Sequence, residues 1–257
     1  MNTFLPMIQE IKAEEYSCAR DDFSASDGIR FIPSKDTQFK MISFGKSTIM
    51  TGEANTLTEV RNALNDAKGI DCFDAPSLFK IGSILKKENH TLSEINDSFI
   101  PSEDIDLPRR SHDTYGLVKL LKEEIKNISD KERFENALCL DDDFHLNEFA
   151  YAAIKEGQIV SLAGVSSNTE NLWWVGVDTL SPHRQNGLAT LLVNSVSRDV
   201  IGQNKIPLYV TWYSNIASRL TAIKAGFRPG FVEILSDQTS TEDLTAVEEL
   251  VAVKVEP

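Results

Sequence analysis

Residues 173–193 read WWVGVDTLSPHRQNGLATLLV, and this stretch decides the fold. A short apolar strand leads into a turn that contains Pro182, and Gly187 then opens a strongly apolar helix. The first amides of a helix have no partner within the helix, and the helix dipole makes that end positive. The stretch therefore predicts a site for a phosphate, or for another anion, at residues 184–189.

The charge distribution favours a small anionic ligand and argues against nucleic acid. The 257 residues carry a formal net charge of −13, whereas nucleic acids and anionic membranes require a basic protein surface. Residues 171–230 nevertheless contain six basic and two acidic side chains, a local charge of +4. We therefore expect no nucleic acid and no membrane as partner, and we expect an anion near this basic window.

The composition and the cysteine pattern indicate a cytoplasmic protein without a metal site. The first residues lack the basic, apolar and small-residue regions of a signal peptide, and no apolar run is long enough to cross a bilayer. Cys18, Cys72 and Cys139 lie far apart and have no metal-binding spacing, and neither do the four histidines. We expect reduced thiols, a cytoplasmic location and no metal.

Apolar periodicity predicts a smaller N-terminal α/β domain at residues 1–108 and a second domain at 109–257. The polar, proline-containing segment near 101–112 separates the two. In the first domain we predict strands on both sides of Gly45. We also predict helices in the first domain at about 3–18, 55–68 and 77–89.

The second domain is predicted to be α+β with a mixed sheet, because strands come first and then alternate with helices. It begins with two predicted helices, Tyr115–Ile128 and Asp130–Leu138, the latter with Asp130 as its N-cap. The further predicted elements are an antiparallel meander of strands 149–154, 159–166 and 172–178, helix 187–202, strand 208–212, helix 216–225, strand 231–235 and a half-exposed strand at 250–256.

The sequence VGVDTLSPHRQNGLATLLV resembles the GCN5-related N-acetyltransferase (GNAT) superfamily. In that family a strand and a Pro-containing turn lead to [RQ]-x-x-G-x-[GA] at the start of a helix. Downstream, Asn215 and Ser218, followed by KAGF at 224–227, match the N-x-x-S and K-x-G-F segments at the family distance. The likeness covers roughly residues 113–257 and is closest to bacterial GNAT proteins with an extra N-terminal α/β region. It implies a GNAT-like mixed β-sheet flanked by helices.

The resemblance implies an acyltransferase that moves an acetyl group from acetyl-CoA to an amine by direct attack in a ternary complex. The acceptor would be a small molecule or a peptide-like amine. By that likeness, residues 184–189 would hold the CoA pyrophosphate, strand residues 177–179 would pair with the pantetheine arm, and two residues near 215–218 would line its other side. The implied cofactor-binding residues are Val177, Asp178, Thr179, Arg184, Gln185, Asn186, Gly187, Leu188, Ala189, Asn215 and Ser218.

The residues that would transfer protons are less clearly marked. In many family members a Tyr four residues before the Gly-Phe pair protonates the leaving thiolate, and here that position is Ala222. Tyr213 is a candidate to substitute for it, with packing against the strand as the alternative. Asp178 is the candidate base, directly or through water. Its alternative role is that of a turn or substrate-binding carboxylate.

The vacant Tyr position leaves a second class of function open. A GNAT-fold protein that binds acyl-CoA with little or no turnover would serve as a sensor or an interaction module. The sequence does not identify the acceptor amine, the role of the N-terminal domain or the oligomeric state, for which a homodimer is one alternative.

Overall fold

In the computed structural model, the described residues are 4–25, 28–35, 38–106, 114–140 and 146–238. The chain forms two compact units, the first with residues 1–8 and 96–230 and the second with 9–95 and 231–257. The sequence places one division at 108/109, within a segment that lies outside the described residues. The longer stretch of the first unit starts at Asn96, where a strand begins that pairs with residues 209–212 of the same unit.

The secondary structure follows the predicted order through most of the chain. The helices are α1 (Phe4–Glu15), α2 (Ala54–Ala63), α3 (Ala75–Leu85), α4 (Lys122–Lys126), α5 (Leu188–Gly202) and α6 (Ile216–Ala225). The strands are β1 (Ile29–Pro33), β2 (Lys40–Ser43), β3 (Thr48–Gly52), β4 (His90–Leu92), β5 (Asn96–Pro101), β6 (Gly116–Leu121), β7 (Asn147–Lys155), β8 (Gln158–Ser166), β9 (Leu172–Thr179), β10 (Ile206–Trp212) and β11 (Phe227–Gln238). The predicted final strand at 250–256 lies outside the described residues.

The first unit contains a mixed sheet in the strand order β6-β7-β8-β9-β10-β5. The strands β7 to β9 form the predicted antiparallel meander, and β6, which was not predicted, pairs antiparallel with β7. The chain then passes through α5, and β10 lies parallel to β9 and antiparallel to β5. This combination confirms the α+β class, and it places the turn after β9 and the start of α5 at one end of the sheet.

The predicted helix at Tyr115–Ile128 is wrong. Its first half is strand β6, which pairs with β7 from Gly116 opposite Ile154 to Leu121 opposite Phe149, and only the five residues of α4 are helical. The leucine spacing in this segment fits a helix, but pairing with β7 supplies the backbone hydrogen bonds and overrides that preference.

The second predicted helix, Asp130–Leu138, is also shorter than expected. A single 3-10 turn covers Lys131–Phe134. Asp130 has a left-handed backbone with φ of 56°, and its side chain forms no N-cap hydrogen bond. Residues 135–138 therefore continue as an irregular segment, and part of it contacts the candidate site.

Apolar packing covers both faces of the sheet in the first unit. On one face, α5 and α6 bury Leu192, Val196 and Ala222 against Trp173 and Val175 of β9. The opposite face carries a smaller cluster, formed by Ile125, Phe134, Ala137, Leu138, Ala150, Ala152 and Leu162. Alternate residues of β9 thus face different layers, as a strand requires.

The second unit has its own sheet and core. Its strands run in the order β1-β3-β2-β11, and β4 pairs with the end of β11. Helices α2 and α3 contribute Leu57, Val60 and Ile81 to a core that also includes Met41 and Met50. Among the described residues of the chain, no helix combines the length and the apolar character that crossing a membrane would need.

Candidate functional site

Strands β9 and β10 lie side by side only where they begin. Their parallel register joins residues 172–174 to residues 206–208, whereas β9 continues to Thr179 and β10 to Trp212. On its other side, β9 stays paired with β8 as far as Thr179. The two strands therefore separate beyond Trp174, and the main-chain groups of β9 on that side require another partner.

The turn after β9 presents amides toward the same region. Gln185 and Gly187 both have left-handed backbones, with φ of 65° and 75°. The amide of Leu191 donates to the carbonyl of Gly187 at 3.0 Å as the first bond of α5, so the three amides before it have no acceptor within the helix. A Cβ at Gly187 would meet no atom within 4 Å. Open space therefore lies in front of a positively polarised helix end.

Side chains within the turn hold it in this shape. Nε of the exposed Arg184 donates to the main-chain oxygen of Thr179 at 2.9 Å, which ties the turn back to the end of β9. Nδ2 of Asn186 donates to the carbonyl oxygens of His183 at 3.1 Å and Arg184 at 3.2 Å. The side-chain amide of Asn186 thus forms its hydrogen bonds within the turn.

One open cavity of about 1040 Å³ joins the separated strands to the turn. All but two of the predicted site residues line it. They are Val177, Asp178, Thr179, Arg184, Gln185, Gly187, Leu188, Ala189, Asn215 and Ser218. Asn186 and Tyr213 do not line the cavity. The cavity wall carries basic groups at Arg184 and Lys224 and acidic groups at Glu135 and Asp178.

Tyr213, the predicted proton donor, lies outside the cavity in the structure. Its side chain is 55% exposed, and the guanidinium carbon of Arg219 lies 4.7 Å from the centre of its ring. Nε of Arg219 also donates to Oδ2 of the buried Asp97 at 2.7 Å. Tyr213 is therefore held on the surface beside the base of α6, outside the cavity.

A different tyrosine, which the sequence reasoning did not single out, lines the cavity. Tyr209 is the first residue of β10 beyond the register with β9, and its hydroxyl lies 2.7 Å from Oγ of Ser218 in α6. Oδ1 of Asn215 accepts the amide of Ser218 at 3.1 Å and so caps α6. The N-x-x-S segment thus begins the helix and presents a hydroxyl to the cavity.

The carboxylate of Asp178 accepts hydrogen bonds from the segment that follows the short 3-10 turn. Its Oδ2 accepts the main-chain amides of Asn136 at 2.8 Å and Ala137 at 3.0 Å, and its Oδ1 accepts Nδ2 of Asn136 at 2.7 Å. Both oxygens of this half-buried carboxylate are engaged. The contacts fit the alternative of a structural carboxylate at least as well as that of a base.

Two glycines allow this segment to approach strands β8 and β9 closely. Gly164 and Gly176 are opposite each other in β8 and β9. A Cβ at Gly176 would collide with the carbonyl group of Asn136, and a Cβ at Gly164 would collide with that of Ala137. Glycine in the interior of a strand often marks such an approach by another backbone. We call residues 136–138, held by Asp178 on these glycines, the clamped segment.

No group of three or more His, Cys, Asp or Glu side chains suited to a metal ion occurs within the part of the chain that the structure describes. Cys18, Cys72 and Cys139 are reduced cysteines. The cavity is lined by main-chain groups, hydroxyls and a few charged side chains.

Comparison with known proteins identifies a family. The family model described as GNAT acetyltransferase matches residues 16–231, and thus includes most of the N-terminal part, which the sequence resemblance had left out. No curated protein matches the chain.

Several solved structures are similar at low identity. A GCN5-related N-acetyltransferase from Kribbella flavida is 14% identical, with 63% of this chain and 65% of that chain covered and a TM-score of 0.49. A GCN5-related N-acetyltransferase-like protein from Streptococcus suis is 13% identical, with coverages of 78% and 84% and a TM-score of 0.49. A GNAT-family protein from Novosphingobium aromaticivorans is 20% identical, with coverages of 59% and 69% and a TM-score of 0.44. The family assignment rests on the family model.

Proposed function

Because this chain belongs to the GNAT acetyltransferase family, we propose that it transfers an acetyl group from acetyl-CoA to an amine by direct attack in a ternary complex. One observation carries the proposal. The uncommitted amides at the start of α5 and the separated strands β9 and β10 open into a single cavity. A ligand with a phosphate group at one end and an extended arm at the other fits that arrangement.

The start of α5 is the proposed pyrophosphate site. The amides of residues 185–190 and the guanidinium of Arg184 would surround the two phosphates, with the helix dipole adding favourable charge. The left-handed conformation of Gly187 and the open space before it let a phosphate approach the main chain.

The gap between β9 and β10 is the proposed site of the pantetheine arm. Main-chain groups of residues 177–179 would pair with the amides of the arm, much as an added strand pairs with a sheet edge. Ser218, on α6, would lie on the other side of the arm, where Asn215 caps the helix. Acetyl-CoA is thus a co-substrate held mostly by backbone groups.

The reaction itself would depend mainly on position. Holding the thioester and the amine together removes much of the entropic cost of their encounter. A main-chain N–H of residues 177–179 would donate to the thioester oxygen, on which negative charge develops. Water is the simplest acceptor of the amine proton, because both oxygens of Asp178 already accept hydrogen bonds.

The proposed acceptor is a cationic small molecule or a peptide-like amine. On the face of β9 opposite α5, Trp174 is 49% exposed, and both Trp174 and the carboxylate of Glu135 line the cavity. An acidic group beside an exposed aromatic ring favours a cation. The supply of acetyl-CoA and the three reduced cysteines support a cytoplasmic location as part of the proposal.

A second candidate function is acyl-CoA binding without appreciable turnover, as in a sensor or an interaction module. Two observations favour it: Ala222, at the usual tyrosine position, is fully buried in the core, and Asp178 is committed to the clamped segment. Neither affects the proposed binding site, so the two functions share the cofactor and differ in catalysis.

One experiment separates the two candidates. Release of CoA thiol from acetyl-CoA is measured across a panel of amines, beside the dissociation constant of acetyl-CoA measured by calorimetry. We expect binding together with turnover on at least one cationic amine. Binding without turnover on any amine would favour the sensor, and absence of binding would contradict both candidates.

A further inference from the structure

The position of Tyr209 combines access to the cavity with burial of its ring. It follows Leu208, the last residue of β10 in register with β9, so it lies where the two strands begin to separate. Its side chain is only 3% exposed, and its ring centre lies 6.0 Å from that of Phe227. The ring is thus fixed in the core, while the residue contributes to the cavity wall.

The hydroxyl of Tyr209 has one defined partner. It lies 2.7 Å from Oγ of Ser218, a half-buried residue of α6 that also lines the cavity. Burial raises the pKa of the Tyr209 phenol, the hydrogen bond with Ser218 opposes that rise, and the negative charge of Asp178 adds to it. The phenol therefore keeps its proton at neutral pH and can act as an acid.

The hydroxyl of Tyr209 lies beside the face of α6 on which the usual tyrosine position is found. Ser218 and Ala222 are one turn apart on the same face of α6, and the methyl group of Ala222 offers no proton. The hydroxyl of Tyr209 reaches this face from β10, one turn before Ala222. The chain thus brings a phenol to the same wall of the cavity from a different element.

We propose that Tyr209 is the proton donor to the thiolate that leaves acetyl-CoA, with Ser218 as a positioning residue that orients its hydroxyl. The proposal rests on the proposed acetyl transfer. The amine nitrogen forms a bond to the carbonyl carbon, and the carbon–sulfur bond breaks with its electron pair moving to sulfur. The Tyr209 proton moves to sulfur, the amide nitrogen releases its surplus proton to water, and the tyrosinate recovers a proton from water.

The test compares Tyr209→Phe with Tyr151→Phe. Tyr151 is a matched control, because its hydroxyl also donates to a neighbour, Asp199 at 2.9 Å, and it does not line the cavity. With acetyl-CoA and the best amine of the panel, Tyr209→Phe should lower kcat about 100-fold, with the dissociation constant of acetyl-CoA unchanged. Tyr151→Phe should retain the wild-type kcat.

The pH profile of kcat distinguishes proton donation from a structural role. The wild-type kcat should fall at high pH as the Tyr209 phenol loses its proton, and this fall should be absent in Tyr209→Phe. If Tyr209→Phe does not fold, Ser218→Ala should show a smaller loss of kcat, with the fall moved to higher pH because the hydrogen bond that lowers the Tyr209 pKa is removed. An unchanged fall in Tyr209→Phe, no loss of kcat at all, or a loss in Tyr213→Phe instead would overturn the proposal. Absence of wild-type turnover would overturn the proposed function and this proposal with it.

Discussion

The two segments that contact the end of β9 differ in how much of their hydrogen bonding is satisfied. The turn 184–187 contacts Thr179 through Arg184, yet the amides at its junction with α5 face open space. The clamped segment contacts Asp178 with two amides and a side chain, and its carbonyls lie against two glycines. Neighbouring residues of one strand therefore support the proposed binding surface on one side and a packed structure on the other.

This difference indicates where ligand affinity and fold stability each reside. Substitutions in the turn should change binding of acetyl-CoA more than they change the free energy of unfolding. Substitutions in or under the clamped segment should lower the free energy of unfolding first, and activity only as a consequence.

The largest effect is expected for Gly176→Leu. The new side chain would occupy the position of the Asn136 carbonyl group, and overpacking against a backbone that cannot move should lower the free energy of unfolding by about 3 kcal/mol. Urea denaturation measures the change. Gly202→Leu is the control, because a Cβ there meets no atom within 4 Å. Similar stability of the two variants would show that the clamped segment does not pack as described.

Asp178→Ala should have the next largest effect. It removes the acceptor of three hydrogen bonds, two of them from main-chain amides, and should lower the free energy of unfolding by about 2 kcal/mol. Thermal and urea unfolding are measured beside kcat. A variant with full stability and no turnover would identify Asp178 as the base and contradict its role as a clamp.

Asn136→Ala should have the smallest effect of the three. It removes only the bond from Nδ2 to Oδ1 of Asp178, at 2.7 Å, and leaves both main-chain bonds. We expect a loss of about 1 kcal/mol in urea denaturation. The exposed Asn127, whose Nδ2 donates to the carbonyl of Glu123 at 3.0 Å, provides the control in Asn127→Ala. A loss as large as that of Asp178→Ala would mean that the side chain of Asn136, rather than the two main-chain amides, holds the clamped segment on Asp178.

Much of the fold could be predicted from the sequence, because its signals are local. The meander from β7 to β9 follows from apolar runs separated by turn residues such as Gly157. The unit of β9, α5 and β10 follows from a strand, a glycine turn and an apolar helix. Strand β6 could not be predicted in this way, because the spacing of Leu117, Leu120 and Leu121 fits a helix and its pairing with β7 is not local.

In the site, too, the features that are local in the sequence could be predicted and the others could not. The open amides at the start of α5 could be predicted, because they follow from a glycine and an apolar helix that are adjacent in the sequence. The proposed role of Tyr209 and the hydrogen bonds of Asp178 could not, because the first depends on where β10 separates from β9 and the second on Asn136 and Ala137, which are distant in sequence. Gly164 and Gly176 are the sequence signal for the clamped segment, since glycine inside a strand often marks the approach of another backbone.

The central claim is that acetyl-CoA binds through the amides at the start of α5, and calorimetric titration of Gly187→Val beside Gly157→Val tests it most directly. Both glycines have left-handed backbones, with φ of 75° and 77°, and a Cβ at either meets no atom within 4 Å. The backbone strain of the two variants is therefore similar, whereas only Gly187 lines the cavity. We predict wild-type affinity for Gly157→Val and affinity weaker by at least about 100-fold for Gly187→Val. Equal affinity of the two variants would contradict the claim.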